Sequence, residues 1–161
     1  MAKRKKKVTV NDLVSTWEPR LRDAFLAAVQ NLRDGVEYQK LVTAIQNGDI
    51  EAALRAVRIE PAAYGVYVEE LRNAYNNGGI TTVDNMPPLQ NPQGERVVMR
   101  FDVRDLDAEE WISEHSSKHI SEITEDLKQS VRDVLTKGLV DGDNPKTTAT
   151  RIAGRYNRET G

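Results

Sequence analysis

Between Trp111 and Leu135 apolar residues return at every third or fourth position, and no proline or glycine interrupts them. That spacing places them on one face of a helix and predicts α structure from about Ala108 to Lys137. The stripe reads Trp111, Ile112, His115, His119, Ile120, Ile123, Leu127, Val131, Val134 and Leu135, and Gly138 is its expected end. Asp107, followed three positions later by Glu110, resembles a capping box with Asp in place of Ser or Thr. About 30 residues at the rise of an α-helix span roughly 45 Å, more than the width of a domain of 161 residues. Part of this face is therefore expected to meet something outside the first half of the chain, either the C-terminal segment or another chain. The residues expected to dock a partner are Trp111, Ile112, Ile120, Ile123, Leu127 and Val131.

The first half reads as a small helical lobe with short connections. Leu13, Trp17, Leu21, Phe25, Val29 and Leu32 form one stripe, with Asn11 or Asp12 as the expected cap. Pro19 lies inside it, and a break near Glu18 is expected because proline removes a donor and disfavours helix in the residue before it. Gly35 ends this element. A second helix carries Tyr38, Leu41, Val42 and Ile45 and stops at Asn47 and Gly48. Asp49 is placed to cap a third, with Ala52, Ala53, Leu54 and Val57. Pro61 suits the first turn of a fourth, whose face is Tyr64, Tyr67, Val68, Leu71 and Tyr75, closed by Asn76, Asn77, Gly78 and Gly79.

Residues 80–83 are β-branched and 97–103 alternate, while Pro87, Pro88, Pro92 and Gly94 lie between them. A short hairpin over 80–106 is expected, the alternative being an extended linker. Asn144 and Pro145 open a final helix with Ile152, Ala153 and Tyr156 inward. The fold class is thus mainly α, in four segments: a basic arm at 1–10, a helical lobe at 11–79, a hairpin or linker at 80–106, and the long and short helices at 107–161.

Charge is unevenly distributed. Lys3, Arg4, Lys5, Lys6 and Lys7 place five cations in the first seven residues, which leaves 18 cations against 25 acids, a balance of −7. Such an arm supplies sequence-independent contacts to phosphates or to an acidic protein surface, but no base readout. A solvated terminus without a partner has the same composition. The chain has no cysteine, which excludes disulfides and thiolate metal sites. No apolar run approaches the roughly 20 residues needed to span a bilayer, and no apolar stretch follows the basic start as in a secretory signal. A soluble protein made in the cytoplasm is expected.

The residues that carry chemistry do not assemble into a motif. His115 and His119 stand four apart on one helix, but Ser116 occupies the place where a zinc-protease helix needs Glu. Glu114 and Glu122 point away from the two-His direction. Ser113, Ser116 and Ser117 adjoin histidines in sequence, where helix geometry turns neighbours apart. Gly78-Gly79 lacks the lysine and spacing of a phosphate loop. No enzyme activity, metal or cofactor is expected. A DNA-binding helical module, using the basic arm and the C-terminal helices with Arg151, Arg155 and Arg158, is the alternative reading. Against it, the 138–144 connection exceeds the usual helix-turn-helix turn and the first helix is about twice too long.

The order of many weak features goes further. Phe101 and Asp102 precede a helix bearing Trp111 and Ile112, then His115-Ser116, then Ile120, Ile123 and Thr124. A Gly138-Leu139 break, Gly142, Ile152 and Gly154 follow. Upstream stand Trp17, Pro19, Leu21, Phe25, the run NGDIEAALRAVRIEPAAY and Gly78-Gly79. Over most of 11–161 this resembles the minor head, or head morphogenesis, proteins of phages of the Mu F-like type. These positions are mainly core, cap and turn residues.

The resemblance implies a structural component of the virion, in the capsid interior or at the portal vertex, and in the host cytoplasm during assembly. Its implied partners are the portal protein or inner capsid surface, and packaged DNA through the arm, with a role in DNA packaging or ejection. It carries over no catalytic residue. Members of that family continue beyond the segment that ends here at Gly161, which implies a short, processed or truncated form.

Overall fold

The computed structural model describes residues 7–101 and 106–154, with backbone alone for 106–108. The protein is mainly α-helical. Helices α1 (Val10–Asp34), α2 (Tyr38–Gln46) and α3 (Ile50–Val57) lead through a 3₁₀ turn (Pro61–Tyr64) into α4 (Gly65–Asn85). A two-residue hairpin, β1 (Leu89–Gln90) and β2 (Arg96–Val97), precedes the long α5 (Leu106–Val140) and the short α6 (Pro145–Ala153). The two strands pair antiparallel, with Leu89 opposite Val97 and Gln90 opposite Arg96.

Helix α1 begins earlier than its apolar stripe suggests and does not break at Pro19. Its cap is Thr9, not Asn11 or Asp12. The Asp12 amide donates to Thr9 Oγ1 (3.2 Å) and the Thr9 amide donates to Asp12 Oδ2 (2.8 Å), a reciprocal capping box. Pro19 is tolerated because the residues beside it are tied to α4 on both sides. Trp17 Nε1 donates to Asn77 Oδ1 (3.1 Å) and the Arg20 guanidinium donates to Glu70 (3.1 Å). Ser15 and Thr16 are exposed, so the carbonyl that the proline leaves unpaired faces water. These pairs, with Asn85 Nδ2 donating to the Val8 carbonyl at 2.6 Å, set α1 and α4 antiparallel.

The expected stop at Gly78-Gly79 is absent, and residues 80–83 are helical rather than extended. The Phe101 ring lies against Gly79, so close that a Cβ there would sit 2.1 Å from a ring carbon. Tyr75 meets the same ring at 5.7 Å. The glycine admits an aromatic side chain to the helix surface instead of ending the helix. The hairpin exists, but its strands are 89–90 and 96–97; 97–103 is not a strand where described, and 102–105 lie outside the described residues.

Two further corrections concern α5. It starts at Leu106, which puts the Asp107 backbone inside the helix rather than at its cap, and Gly138 is an interior position. A Cβ on Gly138 would lie 2.6 Å from Thr148 Oγ1, so the glycine permits the close crossing of α5 and α6. Asp49 and Asn144 cap α3 and α6 with their side chains, as expected, accepting from Ala52 N (2.8 Å) and Lys146 N (2.9 Å). Tyr156 lies outside the described residues.

The core has two centres. Leu41, Val42 and Ile45 of α2 meet Ala53, Ala56 and Val57 of α3, with Leu135 of α5 and Ala149 of α6. Each large aliphatic side chain fully buried there contributes about 1.5–3 kcal/mol. The second centre joins Ala28 of α1, Tyr64 and Ile120 of α5, flanked by Phe25, Leu32, Val68 and Ile123. Helix α5, about 50 Å long by its 35 residues, runs across both. Among the described residues no helix is long and apolar enough to cross a membrane.

Candidate functional site

The α5 stripe is largely turned inward. Ile112 and Ile120 are buried, and Ile123, Leu127 and Val131 are half-buried. Ile120, Ile123 and Val131 pack within the chain's own two centres. The face expected to dock a partner is thus spent mostly on intramolecular contacts. Trp111 alone of the six is exposed, at 57%, and its ring stacks on His115 at 4.0 Å. His115 Nδ1 is also 2.9 Å from the Trp111 carbonyl. Of the basic arm, Lys7 is exposed, while Lys3, Arg4, Lys5 and Lys6 lie outside the described residues.

The free apolar surface lies elsewhere, along α1. A groove of about 540 Å³ is lined by Leu13, Val14, Trp17, Leu21 and Phe25, with Tyr67 of α4 opposite. Glu18 and Arg22 stand at its edge. None of α4 is fully buried, and the fully buried residues of α1 begin only at Ala24. Among the described residues, no third layer closes over the groove side of the first half of α1. Val14 is 50% exposed and Val10 74%. Arg20 lies over the Trp17 ring at 4.4 Å from its centre, which holds the indole against α4. Two adjacent helices with a continuous apolar seam open to water present the geometry on which a partner helix packs. The four-residue spacing of Leu13, Trp17, Leu21 and Phe25 was legible in the sequence; that none of the described residues covers it was not.

A second concavity, of about 700 Å³, opens between α2, α3 and α5. Lys40, Arg55, Arg58, Lys128 and Arg132 bring five cations to it from three elements, and Glu37, Glu51 and Glu60 three acids. Arg132 pairs with Glu51 at 3.1 Å, Arg58 with Glu60 at 3.8 Å, and Lys40 with Glu37. The hydrogen bond from Lys40 holds the Glu37 carboxyl below its ordinary value; burial opposes it, and the nearby charges of Lys40 and Arg58 add to the lowering. Sequence reading missed this cluster. Part of its signal was the spacing Lys128–Arg132, four apart on α5 and hence on one face; Arg58, at the left-handed cap beyond α3, follows no such spacing.

Among the described residues no three His, Cys, Asp or Glu side chains gather as metal ligands. The buried hydroxyls of Ser116 and Thr124 donate to the helix's own carbonyls, at Ile112 and Ser121. Arg151 of α6 is paired with Asp143, and Arg155 and Arg158 lie outside the described residues. The arrangement offers surfaces for binding and no assembled set of reacting groups among the described residues. No family model matches this chain, nor does any curated protein or solved structure.

Proposed function

We propose that this chain is a structural phage protein of the minor head type, which joins the portal or the inner capsid surface during head assembly and carries no catalysis of its own. The observation that carries the reading is the uncovered apolar groove of α1, a docking surface on a chain whose sequence order resembles head morphogenesis proteins. A groove of this kind takes an amphipathic helix through anchors at i, i+3, i+4 and i+7. The basic arm at 1–7 adds salt-sensitive contact to packaged DNA or to an acidic surface.

Assembled heads give the direct test. Heads are produced with the portal and capsid proteins of the same genome and purified, and their proteins are quantified by mass spectrometry. The reading expects this chain inside them at low copy number, and its absence from intact heads would overturn it. Deleting residues 1–7 is expected to weaken DNA retention at low salt with folding unchanged; retention equal to the full chain would remove DNA from the list of partners.

A further inference from the structure

We propose that the cleft between α2, α3 and α5 binds an acidic, amphipathic segment of a partner protein. The site is independent of the virion reading and of the α1 groove. Outside the arm the chain holds 18 cations and 25 acids, and five of those cations line this one concavity. An acidic body repels anionic ligands from most of its surface, and a concave cluster of cations draws them to one place.

The cations are unequally engaged. Glu51 holds Arg132 at 3.1 Å, whereas Glu60 reaches Arg58 only at 3.8 Å. Lys128 is drawn to Glu125, outside the cleft lining, at 2.7 Å. Arg55 has no acidic partner among the described residues. An incoming carboxylate therefore meets Arg55 and the loosely held Arg58 before it must displace a formed pair.

Arg58 carries a second indication. It caps α3 in left-handed backbone, φ 55° and ψ 48°, and is the one non-glycine residue at positive φ among the described residues. Glycine occupies that position at no steric cost, whereas a side chain there costs about 1 kcal/mol. The conformation aims a guanidinium into a cleft at the expense of a relaxed cap.

The floor decides the class of ligand. Ala52, Leu54, Ala56 and Ile59 give it an apolar base, and Glu37, Glu51 and Glu60 stand among the cations. A phosphate backbone finds nothing to bury on that base, and the three carboxylates oppose any anion that does not also use it. A helix or strand with leucines on one side and carboxylates along its edges uses both the base and the rim.

The test measures fluorescence anisotropy of a labelled peptide of glutamate and leucine at helical spacing, titrated with the full chain at low and high salt. A peptide with glycine for leucine and a single-stranded oligonucleotide are run beside it. The glutamate–leucine peptide is expected to bind in a salt-weakened manner, and the glycine peptide roughly tenfold less tightly. Arg55→Glu, at an exposed position, is expected to weaken the peptide roughly tenfold. Arg58→Gly should weaken it several-fold while the Tm stays the same or rises, a separation that mere loss of folding cannot produce. The proposal is overturned if the wild-type chain does not bind the peptide, or if both folded variants bind it like the wild type. It is equally overturned if the oligonucleotide, not the peptide, loses affinity on Arg55→Glu.

Discussion

Tyr64 is fully enclosed, at 0% exposure, between Phe25 at 5.8 Å and the α5 face at Ile120. Its hydroxyl has no hydrogen-bond partner among the described residues, and burial raises its pKa. A buried hydroxyl without a partner costs on the order of 1–3 kcal/mol, so Tyr64→Phe is expected to hold or raise stability by about 1 kcal/mol. Urea unfolding checks it, and a clear loss would mean that the hydroxyl is bonded in solution. The acid range tests a different residue. A hydrogen bond from Lys128, with its charge, holds Glu125 below the ordinary carboxylate value of 4.5. A depressed folded pKa stabilises the protein above the unfolded value, and that stabilisation disappears as pH falls through the folded one. The Tm advantage of wild type over Glu125→Gln should therefore be present at neutral pH and vanish below pH 4.5. A gap of constant size down to pH 3 would show that the pair is not acting as an ion pair.

At the scale of elements, Gly138 is the sharpest test. In an exposed helix Gly→Ala gains about 1 kcal/mol. Here the new methyl would meet Thr148 Oγ1 at 2.6 Å and Cγ2 at 3.0 Å, and Thr148 is fully buried. Gly138→Ala is expected to cost about 1–3 kcal/mol net, and Thr148→Ala in the same chain should recover much of it. Independent, additive effects in a double-mutant cycle would contradict the close crossing. The same residue shows why some boundaries were legible in the sequence and others not. Asp49 and Asn144 announce their helices because a cap is a local bond between a side chain and a nearby amide. Gly78-Gly79, Gly138 and Pro19 mislead because the deciding partners, Phe101, Thr148, Asn77 and Glu70, are distant in sequence. Glycine's freedom and glycine's small size look alike in a string, and only the tertiary contact separates them.

At the scale of the molecule, periodicity identified both long apolar stripes but not which one the chain covers itself. Burial is a property of the neighbour: α5 runs across two cores, and among the described residues the outer face of the first half of α1 is left uncovered. The spare surface thus lies at Leu13, Val14, Trp17, Leu21, Phe25 and Tyr67 rather than on the 111–131 stripe. The site at Arg55 and Arg58 stayed hidden for a similar reason, since its cations come from elements brought together only by the fold. A charge placed at an already exposed position of the groove separates docking from folding, and Val14 offers that position at 50% exposure. The portal protein of the same genome is co-expressed with the wild-type chain and with Val14→Asp, and each mixture is read by size exclusion and native mass spectrometry. Wild type is expected to form a complex of defined stoichiometry, and the Val14→Asp chain to keep its helical circular dichroism but elute apart from the portal. No complex with the wild-type chain, or an undiminished one with Val14→Asp, would contradict docking through the groove.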